Sequence, residues 1–153
     1  MHYEICGLIG HNRWCFRDDM QAAVRAAVEE AIHDGASIFL NLWQTGFDFL
    51  CALIIDSLKS RYLQIRQIKI TDASCLGGGL ENLFDFSFSS GIPLASVKDA
   101  VEWMIDVSGR AICFVEHDMG STGDYLRRAE DRGLKIHRIS LPRFYYRTFS
   151  DEF

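Results

Sequence analysis

The sequence predicts a three-layer α/β/α domain built on a mainly parallel five-stranded sheet. Apolar runs of strand length alternate along it with stretches of helical period, the pattern of a parallel sheet buried on both faces. Its 153 residues suit one domain (1–153) with a single core. A content of 48% hydrophobic and 24% charged residues, with a mean hydropathy of zero, belongs to a globular chain and not a disordered one.

Strands are expected at 3–9, 37–43, 65–71, 110–116 and 134–141, with the first, second and fourth central. Met20, Val24, Ala27, Val28 and Ala31 share one helical stripe, so a helix is expected over 18–34, closed by Gly35. A second, well-buried helix follows Thr45 and carries Phe47, Leu50, Cys51, Ile54, Ile55 and Leu58. Ser96 and Asp99 have capping-box spacing and open a third helix, which stops at Gly109. The fourth is expected over 121–132, ended by Gly133.

Two segments stand outside this alternation. The long connection 73–94 holds three consecutive glycines and then Phe84, Phe86 and Phe88 at period two, and the tail 142–153 is rich in Phe and Tyr. So much aromatic area predicts a homodimer or higher oligomer.

A net charge of −5 without any Lys/Arg-rich run excludes a general nucleic-acid binder. No run approaches ~18 apolar residues, so a cytoplasmic protein with no membrane partner is expected. Cys6, Cys15, Cys51, Cys75 and Cys113 form no C-x-x-C pair, which indicates neither a disulfide framework nor a metal site. Cys6, Cys51 and Cys113 fall in apolar runs, as core thiols would.

Right-handed crossovers that cover both faces force one reversal of winding, giving strand order 3-2-1-4-5 and a crevice between strands one and four. Two loops meet there, one carrying Gly10, His11, Asn12 and Arg13, the other Asp118, Gly120, Ser121, Thr122 and Gly123. Gly120 and Gly123 allow close backbone approach, the fourth helix offers unpaired N–H groups, and Arg13 offers a forked guanidinium. A phosphate-bearing ligand suits that set. Simpler readings stand beside it: Ser121 with Asp124 has capping-box spacing, Asp48 fits as partner of a Thr45 cap, and His11, His33 and His137 suit packing or surface positions.

The opening Ile5-Cys-Gly-Leu-Ile-Gly-His11, the Gly46-Phe-Asp48 ahead of an apolar helix, and the strand that runs to Gly120-Ser-Thr122 resemble three motifs of the DprA/LOG-like (SLOG) superfamily. The similarity is to its YpsA-like branch, in order and spacing over roughly residues 4–140. The resemblance implies a Rossmann-like fold and a nucleotide or nucleotide derivative in the crevice, with Gly10, His11, Gly46, Asp48, Gly120, Ser121 and Thr122 at the motif positions. The chain departs from the family's glycine-rich turn at Asn41-Leu-Trp-Gln-Thr45, where Leu42 and Trp43 are expected to narrow the pocket, and Ser121 replaces a turn glycine.

LOG-type members cleave a nucleoside monophosphate with a carboxylate on the helix after that turn. Here Leu126 and Arg127 stand near its place. The expected function is therefore a nucleotide-binding or sensor module without established catalysis. The alternatives are a LOG-type N-glycosidic hydrolase using Asp48, Asp118 or Asp124, and a non-binding interaction scaffold whose old site is filled by Leu42, Trp43 and the 84–88 phenylalanines.

Overall fold

The computed structural model describes residues 3–10, 18–70, 83–88, 96–115 and 120–139. In chain order the elements are β1 (Ile5–Gly10), α1 (Asp18–His33), β2 (Ile38–Asn41), α2 (Gly46–Leu58), β3 (Arg66–Ile70), β4 (Phe86–Phe88), α3 (Val97–Val107), β5 (Arg110–Phe114), α4 (Gly120–Asp131) and β6 (Lys135–Arg138). The five expected strands are β1, β2, β3, β5 and β6; they pair in parallel throughout and take the order 3-2-1-4-5. The fold is Rossmann-like.

The connection after β3 adds a sixth, three-residue strand that sequence alternation missed. β4 pairs in parallel with β3, Ile68 opposite Phe86, and forms the sheet edge. It is tied down by Gln67, whose N–H donates to Asp85 Oδ2 (2.8 Å) and whose Nε2 donates to the carbonyls of Ala52 (3.2 Å) and Leu83 (3.1 Å). Lys59 Nζ adds a bond to the Leu83 carbonyl (2.9 Å). The phenylalanines of this stretch therefore part company: Phe84 packs edge-on against Trp43, centroids 5.4 Å apart, while Phe86 is 57% exposed. The aromatic tail lies outside the described residues.

Strand alternation decides which helices cover which face. Cys6, Leu8, Phe39, Ile112 and Phe114 meet Met20, Val24 and Val28 of α1 and Phe47, Leu50 and Ile55 of α2. On the opposite face Ile9, Leu40, Ala111 and Cys113 meet Ala100 and Met104 of α3 and Leu126 and Ala129 of α4. Each large apolar side chain removed from water contributes roughly 1.5–3 kcal/mol. Gly35, at φ +115°, ends α1 in the left-handed conformation, as its position predicted. Ser96 Oγ accepts from the Asp99 N–H (3.1 Å) and starts α3 where expected.

The start of α4 differs from expectation. Helix begins at Gly120, so Ser121 lies within the first turn, and the exposed Asp124 carboxylate pairs with Arg127 instead of closing a capping box. A short side chain already inside the helix is no longer placed to cap it.

Cys6, Cys51 and Cys113 are buried and unbridged. Burial pushes the Cys6 thiol well above the ordinary range and that of Cys113 up to about 12, which keeps both as unreactive thiols. Cys15 and Cys75 lie outside the described residues. Among the described residues no helix is long and apolar enough to cross a membrane, and no group of His, Cys, Asp or Glu is placed to hold a metal ion.

The N-terminal edge of the sheet is closed by one buried cation. Arg110, 4% exposed at the first position of β5, donates from Nε to the Tyr3 carbonyl (2.6 Å), from Nη1 to Asp34 Oδ2 (2.7 Å) and from Nη2 to the Asp34 carbonyl (3.0 Å). Nη1 also lies 3.3 Å from Nε2 of His137, a buried packing residue whose Nδ1 is 2.9 Å from Glu30 Oε1. Lys135 and Arg110 together hold the Asp34 carboxyl down to about 2. Arg110→Met strips donors from two carbonyls and a carboxylate at once, so urea unfolding at pH 7 should show a loss of about 2–4 kcal/mol. A change below about 0.5 kcal/mol, the range of ordinary surface substitutions, would show that the network does not hold this edge.

Candidate functional site

The C-terminal edge of the sheet is organised by a polar turn between β2 and α2. Fully buried Asn41 closes β2; its Oδ1 accepts from the Trp43 N–H (2.8 Å) and its Nδ2 donates to the Asp48 carbonyl (2.9 Å). The first of these bonds is an Asx turn, and with it Trp43 takes φ +58°, a conformation costing on the order of 1–3 kcal/mol. Burial offsets that cost. The Trp43 ring packs against Phe49 (centroids 5.5 Å) and Phe84, with Lys69 Nζ 5.9 Å from its centroid.

Thr45 then caps α2. Its Oγ1 accepts from the Asp48 N–H (3.1 Å), and Asp48 Oδ2 accepts from the N–H groups of Thr45 (3.3 Å) and Gln44 (2.8 Å). Asp48 is thus the cap partner that its spacing allowed. It is also 5% exposed, and burial outweighs these hydrogen bonds and raises its carboxyl to about 6.

Beside this turn lies a cavity of about 180 Å³. One wall is the end of β1 (Leu8, Ile9, Gly10), a second is Leu42, Gln44, Thr45 and Asp48, and a third is Ser121, Thr122 and Tyr125 of α4, with Val101 of α3 completing it. Because Gly10 pairs with Phe114, the cavity sits where the sheet's winding reverses, beside the carboxyl ends of β1 and β5. Ser121 and Thr122 belong to the first turn of α4, whose unpaired N–H groups and positive dipole end favour an anion. Gln44 belongs to the second wall, but its Nε2 is buried away from the open space, with no hydrogen-bond partner among the described residues.

Of the residues singled out in the sequence, Gly10, Asp48, Ser121 and Thr122 come together around this cavity. Gly46 opens α2 next to it without lining it. Gly120 opens α4 at φ +85°, with empty space where a Cβ would lie. Gly123 is buried within α4 and is not part of the cavity wall. His11, Asn12, Arg13 and Asp118 lie outside the described residues.

Leu42 lines the cavity, whereas Trp43 packs outside it against Phe49 and Phe84. Gln44 and Tyr125 are the polar wall residues that sequence reasoning did not assign. Only the place of Gln44 directly before the Thr45 cap hinted at its role.

Gly10 has a structural reason to be glycine. Strand period puts it on the Leu8 face, where a Cβ would fall 2.4 Å from the Phe47 ring, itself stacked on Phe114 at 6.2 Å. A larger groove of about 800 Å³ runs between α3 and α4, but its charges neutralise one another through pairs such as Arg128–Glu102 (3.0 Å) and Arg132–Asp106. It offers an anion no net attraction.

The sequence matches no protein-family model, and no curated protein is significantly similar to it.

Two outcomes follow. Gly10→Ala should destabilise the fold by about 1–3 kcal/mol through overpacking, and Phe47→Leu in the same chain should recover part of that loss; additive effects in a double-mutant cycle would contradict the contact.

Asp48 binds its proton more tightly in the folded chain, where its carboxyl titrates near 6, than in the unfolded chain, near 3.8. The stability this adds is complete below pH 3.8 and lost as pH rises through 6. Unfolding free energies of the parent relative to Asp48→Asn should therefore fall by up to about 3 kcal/mol between pH 4 and 7. A flat difference over that range would show that the carboxyl titrates normally.

Proposed function

We propose that the protein is a nucleotide- or nucleotide-derivative-binding module whose ligand occupies the cavity between β1, the β2–α2 turn and the start of α4. The observation that carries this reading is one cavity at the reversal of the sheet whose walls join a helix N-terminus bearing two hydroxyls to a buried carboxyl. Backbone N–H groups bind phosphate without a basic side chain, which suits a chain of net charge −5. Trp43 and Phe84 pack on each other outside the cavity wall, which favours an open site over a filled scaffold.

Asp48 favours a second reading. Of the acids considered for N-glycosidic hydrolysis, the described ones are Asp48 and Asp124, and Asp48 lines the cavity with a carboxyl raised to about 6, in the range of a general acid. Asp124, 66% exposed by its side chain and paired with Arg127, is not in the wall.

Thermal unfolding with a panel of nucleoside mono-, di- and triphosphates tests both readings. A ligand at 100 times its Kd should stabilise the folded chain by about 2.7 kcal/mol. Stabilisation without release of free base supports the binding module, and base release lost in Asp48→Asn supports the hydrolase. No shift with any member of the panel would contradict both.

A further inference from the structure

The two faces of the sheet are covered unevenly. On the face of Leu8 and Phe39, α1 and α2 pack side by side. On the other, α3 and α4 bury their inner sides over β1 and β5, with Met104 against Gly7 and with Leu126 and Ala129 beside Ala111 and Cys113. The amino ends of β2, β3 and β4 are left short of cover there. Ile5, Ile38, Leu40 and Ile68 floor a groove of about 230 Å³ walled by Trp103 and Val107 of α3, and every lining residue is apolar. Phe86, the register partner of Ile68 on the edge strand β4, extends the floor and is 57% exposed.

The exposed apolar surface gathers around this groove. Tyr3 and Leu63, 60% and 76% exposed, stand just ahead of β1 and β3 at the same amino ends; among the described residues the other exposed large apolar side chain is Leu53, on α2. Phe86, Tyr3 and Leu63 each show water on the order of 100 Å². With the half-buried groove residues the patch approaches the ~450–500 Å² of apolar area found on one side of a standard interface of ~800 Å² per partner. A patch of that size on one chain marks an interaction surface.

Its chemistry and shape point to a second copy as the occupant. The groove carries no charge, and charges are what let a surface discriminate a foreign partner. A two-fold interface needs a patch that complements itself. Here each copy offers both halves, an uncovered stretch of sheet and a helix flank beside it. Helix α3 has 11 residues, a length of about 16 Å, which matches the ~13–17 Å span of the four- and five-residue strands β2 and β3.

We propose that two copies of the chain pair about a two-fold axis at this face, the α3 of each laying its Trp103 and Val107 flank over the uncovered β2, β3 and β4 of the other. The surface lies at the amino ends of the strands, so it leaves the cavity at their carboxyl ends open and stands apart from the nucleotide reading.

Sedimentation equilibrium of the full chain, with Phe86→Glu as the variant and Leu53→Glu as the control on the opposite face, tests the assignment. The parent should show twice the 17.5 kDa chain mass at micromolar concentration. Phe86→Glu adds a charge at an exposed position, so the fold should hold, and it should weaken self-association about tenfold or more while Leu53→Glu leaves it unchanged. In the parent labelled with 5-fluorotryptophan, the fluorine resonance assigned to Trp103 by its loss in Trp103→Phe should shift as dimer forms on raising the concentration.

A chain that stays monomeric up to about 100 times the micromolar range would overturn the proposal. So would a dimer that Phe86→Glu leaves intact, or one that Leu53→Glu disrupts as strongly. Should Phe86→Glu fail to fold, the parent's own Trp103 resonance decides, because a signal that stays still while the mass doubles would place the interface elsewhere.

Discussion

Asn41 and Asp48 hold each other across the β2–α2 turn, and the rest of the candidate site depends on that hold. Strand β2 delivers Asn41 to the sheet edge with no solvent to satisfy its amide, so both ends of the amide bond the turn, to Trp43 N–H and the Asp48 carbonyl. That clamp accompanies the left-handed Trp43 backbone, which swings the indole towards Phe84 and frees the space that becomes the cavity. It also seats the capping box that buries the Asp48 carboxyl. A strained backbone, a buried acid and an orphaned amide within eight residues are the signature of a segment organised for something other than maximal stability.

The two edges of the sheet are built differently from similar materials. At the N-terminal edge, the buried charge of Arg110 is matched by Asp34 and by backbone carbonyls, with His137 packed beside it. Each of the three guanidinium nitrogens has a partner within the fold. At the C-terminal edge the buried Asp48 carboxyl stands beside an open cavity. That cavity, at the carboxyl ends of parallel strands where doubly wound sheets bind their ligands, makes this edge the candidate site.

Much of the fold was legible in the sequence because local signals agreed with one another. Apolar alternation gave the five parallel strands, Ser96 and Gly35 marked helix ends, and topology alone brought the end of β1 to the start of α4. What escaped depends on contacts between residues distant in sequence. No local signal shows that the Phe47 ring lies against Gly10, or that α4 begins at Gly120. The strand β4 is held by Gln67, Asp85 and Lys59 rather than by length or periodicity. Gln44 escaped because an unsatisfied donor has no sequence signature; it is defined by the partners it lacks.

The central claim is that the cavity between β1, the β2–α2 turn and the first turn of α4 is the ligand site. A heteronuclear NMR titration of the labelled chain with a nucleoside monophosphate tests it most directly, because backbone amides on each of the three walls report separately. Saturable shifts are expected at Gly10, Thr45 and Thr122 together, with unmoved resonances in the charged groove at Lys98 and Arg132. Shifts confined to that groove would contradict the claim.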